Sequence, residues 1–296
     1  MNKYSIPLAF ACLIAIWSTT PLAIQWSSGN APITSALLRM VLGVIFCALV
    51  MWISRVKLPF NRSANSLYLV SGFSIFGSMS LIYWAAQSIP SGWIAVLFGL
   101  SPLFTGLFSI FVEPESDLTV PRSLGIILGF FGLYLVFKAG LSINDETLIG
   151  VVLALTAVLI SSASAVLIRH LSHRGNLSGM QITTGGLLVA IPLFAVTALL
   201  VDPVTQILYS PRAQAAILYL GLLGTGIGFS MYFFLLKNTS ASKVSLVTLV
   251  TPITALLIGS WINNEPVIAN VWWGGICVCL GLLLYQYKPR LGLPRL

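Results

Sequence analysis

Residues 91–112 read Ser-Gly-Trp-Ile-Ala-Val-Leu-Phe-Gly-Leu-Ser-Pro-Leu-Phe-Thr-Gly-Leu-Phe-Ser-Ile-Phe-Val, without a charge among them. A helix needs about 20 consecutive apolar residues to cross about 30 Å of hydrocarbon. A barrel strand needs about ten, in strict alternation. This stretch has the length of the helix and does not alternate. Nine other blocks share its character, at 6–25, 32–53, 67–86, 121–137, 148–168, 180–201, 213–236, 243–262 and 268–287. The links between them are short and leave no room for an extramembrane domain. The expected fold class is therefore all-α integral membrane, with ten spanning helices.

Composition agrees. The 296 residues are 57% hydrophobic and 7% charged, against about 25% charged in a soluble domain. The mean hydropathy is +0.98. A chain so poor in charge meets lipid rather than water over most of its surface. The first block follows Lys3 as a secretory signal would, but it is long and no small-x-small site precedes a soluble domain, so it reads as a retained first span. The net charge of +8 would suggest nucleic acid in a soluble protein. Here its placement explains it. If the N-terminus is cytoplasmic, twelve Lys and Arg fall inside, two (Lys138 and Arg212) fall outside, and Arg39 lies within a span. That bias places both termini, including the tail 289–296, in the cytoplasm of a bacterial-type inner membrane, with no nucleic-acid partner. Cys12, Cys47, Cys277 and Cys279 lie within apolar blocks and read as packing residues. No Cys/His spacing suits zinc, so no metal, cofactor or disulfide is expected.

The block at 243–262, Lys-Val-Ser-Leu-Val-Thr-Leu-Val-Thr-Pro-Ile-Thr-Ala-Leu-Leu-Ile-Gly-Ser-Trp-Ile, repeats the organisation of 91–112. At a constant offset of 150, Pro102 falls on Pro252, Glu115 on Glu265 and Gly125 on Gly275. Ile-Trp-Ser-Thr-Thr at 16–20 likewise resembles Ile-Ser-Ser-Ala-Ser at 160–164. The chain reads as two five-helix units, 1–140 and 147–288. Five is odd, so the second unit enters the membrane inverted, the design of many secondary transporters. Two such units have two nearly isoenergetic arrangements, and exchanging them moves access from one side to the other. A duplication kept for packing alone is the competing reading.

Particular residues carry a resemblance. Ala85-Ala86-Gln87-Ser88-Ile89-Pro90-Ser91-Gly92, then Leu100-Ser101-Pro102-Leu103-Phe104, Glu115 and Gly125, resemble the EamA-type drug/metabolite transporters. So do Ala241 to Pro252, Glu265, Gly275 and Leu38-Arg39. The resemblance covers essentially the whole chain. It implies a ten-helix inverted-repeat fold and export of amino acids or other metabolites. The chain departs from the family's pattern at Glu113-Pro114-Glu115, where a Gly more often precedes the Glu, and at Trp93, where smaller residues are common.

Within the spans, a few residues are candidates for function. Pro102 and Pro252 interrupt spans four and nine, each removing a backbone bond and freeing a carbonyl. Lipid tolerates this only where neighbours or cavity water satisfy that carbonyl. Matched prolines are expected to act as cavity-lining hinges, with a packing kink as the alternative. Pro21 and Pro192 lack the symmetry and carry less weight. Ser101 and Thr251 precede the hinge prolines. Ser18, Thr19 and Thr20 lie mid-span in the first block, and Ser161, Ser162 and Ser164 in the sixth. Ser78, Ser80, Thr225 and Ser230 lie in the third and eighth. Buried hydroxyls often bond back to their own helix, yet some in the equivalent first and sixth spans are expected to face the cavity. Trp17 sits mid-span, away from the interfacial belt, and needs a partner or a polar cavity. The candidate substrate-binding set is Trp17, Ser18, Thr20, Ser78, Ser101, Ser161, Ser162, Tyr232 and Thr251. Tyr83, Trp84 and Trp93 are expected in the outer belt and Tyr232 nearer the inner one, with a role as gate aromatics as the alternative.

Arg39 lies within span two, where a charge costs at least about 2.5 kcal/mol. Structural anchoring by snorkelling outward is read ahead of contact with a substrate carboxylate. Glu115 and Glu265, at the ends of spans four and nine, are expected to cap the next helix N-terminus, with a structural or coupling role. Gly125 and Gly129 form Gly-x-x-x-Gly, which permits a weak homodimer beside the monomer. Gly224-x-Gly226-x-Gly228 follows no strand and is not a nucleotide loop.

The functional expectation is a transporter without catalytic residues. An intramembrane enzyme would need a nucleophile–base pair or a metal, and His170 and His173 lie with Arg169 and Arg174 in a loop. A channel or receptor would need a charged pore ring or an ectodomain, neither of which is visible. All seven acidic residues lie at span ends or in linkers. The expected small-molecule substrate is therefore neutral or zwitterionic, without an obligatory proton relay and with no clear counter-charge at the midplane.

Overall fold

A computed structural model of the chain describes residues 5–112, 120–141, 144–172, 177–202, 209–239, 244, 247–266 and 268–286. Among them every regular element is helical. The elements are α1 (Ser5–Ser28), α2 (Pro32–Ile53), α3 (Arg62–Ala85), α4 (Ser91–Phe98), α5 (Ser101–Val112), α6 (Val120–Leu141), α7 (Asp145–Ser172) and α8 (Gly179–Val201). Then come α9 (Pro211–Tyr219), a π-helical segment (Leu220–Phe229), α10 (Ser230–Asn238), α11 (Val247–Asn263) and α12 (Ala269–Gln286).

Helix starts follow the sequence. Asn61 accepts from the Ala64 N–H at 2.9 Å, and Asn144 from the Thr147 N–H at 2.8 Å. Ser178 and Gln181 form a reciprocal capping box. Pro32 and Pro211 open their helices, where a missing N–H costs nothing. Seven helical stretches are long and apolar enough to cross a membrane, judged by length and composition alone. Three shorter ones, Ser123–Val136, Val250–Asn263 and Ala269–Tyr285, are apolar too. Leu200 is 80% exposed and Trp261 78%, which suits a lipid surface and no aqueous one.

Two expected spans are not continuous helices. The fourth breaks at Gly99 and Leu100, so that Pro102 becomes the second residue of α5. Pro252, by contrast, stays inside α11. The two prolines thus stand in different local settings. A Cβ built on Gly99 would stand 3.0 Å from Pro252 Cγ, where α4 crosses α11. The eighth span carries the π-helical segment, whose wider turn lets it lie against α2. A Cβ on Gly43 of α2 would lie 3.0 Å from Thr225 Cβ.

The packing has a regular form. α3 lies against α7 and α8, and α2 against α8 and the π segment. α1 packs on α11, α9 and the π segment, while α7 packs on α4 and α5. α6 and α12 form the tightest pair. A Cβ on Gly132 would stand 2.6 Å from the Gly274 carbonyl oxygen, and one on Gly281 would stand 2.6 Å from that of Gly125. The Gly125-x-x-x-Gly129 stripe is therefore occupied within the chain and is not free to join a second copy. Tyr83 and Trp93 are 0% and 1% exposed. They belong to the core, not to the outer belt, because α3 and α4 turn these faces inward. Glu115 and the tail 289–296 lie outside the described residues.

Candidate functional site

A cavity of about 200 Å³ lies among α1, α3, α4, α5, α7, α10 and α11, with Arg39 reaching it from α2. Of the expected binding residues, Trp17, Thr20, Ser78, Ser101, Ser161, Ser162, Tyr232 and Thr251 line it. The Trp17 and Tyr232 rings are 5.2 Å apart at a 40° tilt. Ser18 is not brought to the cavity. Its Oγ pairs with Thr254 Oγ1 at 2.7 Å, joining α1 to α11.

Several hydroxyls already use their protons. Thr20 Oγ1 donates to the Ile16 carbonyl at 2.7 Å, Ser78 Oγ to Ser74 at 2.7 Å and Ser161 Oγ to Val158 at 3.0 Å. Ser162 Oγ donates across helices to the Ser101 carbonyl at 3.2 Å. These oxygens keep acceptor capacity, so the hydroxyl wall suits a donor-rich ligand. One proline extends that character. Proline has no N–H, so the carbonyl four residues before it loses its helical donor. Pro21, inside α1, thereby frees the Trp17 carbonyl, and Trp17 lines the cavity.

Sequence reasoning missed Ser71, Ser74, Thr105 and Thr248. Their signal was present as helical stripes: Ser71, Ser74 and Ser78 on α3, Ser101 and Thr105 on α5, Thr248 and Thr251 on α11. It also underrated Arg39, which does not snorkel outward. The side chain is 2% exposed and donates from Nε to Thr225 Oγ1 at 2.8 Å. A positive charge therefore lines the cavity, contrary to the expectation of no counter-charge there.

The lining of the cavity is buried at one end. There, Ile24, Ile82 and Ile94 of its lining lie beneath a polar latch centred on Asn263. The Trp26 indole N–H donates to Asn263 Oδ1 at 2.9 Å. Asn263 Nδ2 donates to Gln25 Oε1 at 3.0 Å and to Glu265 Oε1 at 3.1 Å. Ser91 Oγ donates to Glu265 Oε2 at 3.0 Å, with the Gly92 N–H at 3.4 Å. Arg212 lies 3.8 Å over the Trp26 ring. Glu265 thus caps α4 and not the helix that follows it. Asn264, at φ 51°, ends α11 in a conformation Asn tolerates and turns Glu265 back. Gly259 leaves it room, since a Cβ there would stand 2.9 Å from Ser91 Oγ. Toward the other end the cavity continues past Ser71, Thr105, Ile168 and Thr248.

The sequence profile of the EamA-like transporter family matches residues 5–138 and again residues 148–287. The chain belongs to the EamA-like transporter family. It is an all-helical, multi-pass membrane protein of that transporter class. It is 25% identical over 286 residues to the "Uncharacterized transporter YoaV" of Bacillus subtilis (strain 168), covering 95% of this chain and 97% of that one. It is 22% identical over 287 residues to the "Probable amino-acid metabolite efflux pump" of Escherichia coli (strain K12), covering 94% and 93%. A solved crystal structure shares the fold with a TM-score of 0.71 at 20% identity, over 96% of this chain and 98% of its own.

Proposed function

We propose that this family member is a secondary transporter that exports small zwitterionic metabolites such as amino acids by alternating access. The observation that carries the reading is the shared cavity, built from α1, α3, α4 and α5 on one side of the sequence and α7, α10 and α11 on the other. On this reading the chain has ten spans in two inverted units, 1–140 and 147–288. Three features support the inversion: the family profile matches twice, α3 on α8 mirrors the π segment on α2, and α1 on α11 mirrors α7 on α5.

The charge bias of the loops assigns the Asn263 end to the outside. The structure then corresponds to an inward-facing state, latched outside and extended toward the cytoplasm. A substrate enters from within and meets Trp17, Ser101, Ser161, Tyr232 and Thr251. Its ammonium finds hydroxyl acceptors, the Trp17 carbonyl freed by Pro21 and aromatic faces. Pro102 at the start of α5 and Pro252 where α4 meets α11 act as hinges, and release of the latch opens the outer side. Each latch bond contributes about 0.5–1.5 kcal/mol net, so substrate binding needs only a few kcal/mol of differential affinity to shift the population. E. coli's metabolite efflux pump, so named, supports amino acids as the first class to test.

Counterflow in proteoliposomes tests the proposal. Vesicles preloaded with an unlabelled amino acid are expected to accumulate the labelled one transiently, with saturation and no imposed pH gradient. Unsaturable flux without trans-stimulation would indicate a channel. Binding without flux would indicate a receptor.

A further inference from the structure

Arg39 presents an imbalance that the fold alone does not resolve. It is the cationic member of the described cavity lining, and none of the described lining residues is acidic. A guanidinium has five N–H donors. Nε–H is given to Thr225, and Nη1 faces the Met79 sulfur, a weak acceptor, at 3.9 Å. Among the described residues, no carboxylate pairs with it. Asp202 accepts from Thr34 Oγ1 at 2.7 Å, and Glu265 is held by Ser91 and Asn263. A buried cation is normally paired or bonded to carbonyls. Here the fork opens on the cavity with most of its donors unpaired by protein groups.

Its aim is fixed. Thr225 belongs to the π-helical segment and is held where that segment abuts Gly43, so one part of the chain orients a side chain from another. Preorganised guanidinium forks match carboxylates bidentately. A single cation in an otherwise neutral lining balances one negative charge. A phosphate monoester, near −2 at neutral pH, would leave one charge unmet.

We propose that Arg39 is the carboxylate anchor of the cavity, and that the substrates are small metabolites bearing one free α-carboxylate. Thr225 is its positioning residue. The assignment rests on the transport reading of this cavity and narrows it. The carboxylate lies against Arg39 near the latched end, and the ammonium and side chain point toward Trp17, Tyr232 and the hydroxyl wall.

The test compares acids with their amides. The purified full chain in detergent is titrated with leucine, phenylalanine and their carboxamides, and binding is read by thermal stability and calorimetry. The wild type should prefer each acid over its amide by roughly thirtyfold or more, the cost of truncating one side of a buried charge pair. Arg39→Gln should erase that preference, and Arg39→Lys should keep part of it. A merely structural Arg39 would weaken acid and amide alike. Should Arg39→Gln fail to fold, Thr225→Val should lower acid affinity several-fold and leave amide affinity unchanged. Equal binding of acid and amide by the wild type overturns the anchor, as does the absence of binding by either acid. A folded Arg39→Gln that keeps the preference does the same. Acid-selective binding without counterflow sinks the transport reading and leaves the anchor standing.

Discussion

Ser18 and Ser161 both lie midway along apolar helices, and only one faces the cavity. Ser18 is spent on Thr254, while Ser161 bonds back to its own helix and presents its oxygen to the lining. Ser18→Ala should therefore cost about 0.6 kcal/mol, the mean for a hydrogen bond between membrane helices, and leave affinity unchanged. Trp17→Ala should weaken substrate binding up to about tenfold through the lost aromatic contact with Tyr232, and Ser161→Ala should weaken it less. Binding isotherms set beside unfolding midpoints separate these effects, and normal affinity in both cavity variants would refute the site. At this scale the sequence was readable wherever depth alone decides. Mid-span Trp17, Ser101 and Thr251 had few places to go but a cavity. Arg39 was misread because snorkelling is judged from depth, whereas its direction around α2 depends on Thr225, 186 residues away.

The broken helices belong to the next scale. The apolar blocks were legible because hydrocarbon demands their length, and no folding detail relaxes that demand. The interruption at Gly99 and Leu100 and the π turn of Leu220–Phe229 were not legible. Each is chosen by the partner helix it must approach, Pro252 in one case and Gly43 in the other. The glutamates illustrate the same limit. Their place at span ends was readable, but the helix that Glu265 caps was set by the turn at Asn264. The latch makes its own prediction. Asn263→Ala removes its bonds to Trp26, Gln25 and Glu265, worth well over the 1.4 kcal/mol that shifts a population tenfold. A cysteine introduced by Ile24→Cys, which lines the buried end, should then react faster with an impermeant maleimide added outside. Unchanged labelling of Ile24→Cys on removal of Asn263 would show that the latch does not hold the outer side shut.

For the whole molecule, the proposed orientation rests on the charge bias. In a background lacking native cysteines, Asp145→Cys should react from outside intact cells and Lys57→Cys only after lysis. Both positions are exposed, so the reverse pattern would invert the proposed membrane sidedness. The proposed inverted arrangement also gives the glycine seam between α6 and α12 a meaning beyond packing. Neither helix lines the cavity, and their backbones approach closely at Gly125, Gly132, Gly274 and Gly281, with Val136 and Val278 packed beside the contact. A joint of that kind can rotate slightly but cannot slide, because a shift along it would drive side chains into opposing carbonyls. On the proposed alternating-access reading, this seam is the axle about which the rest of the bundle rocks, set apart from the substrate path.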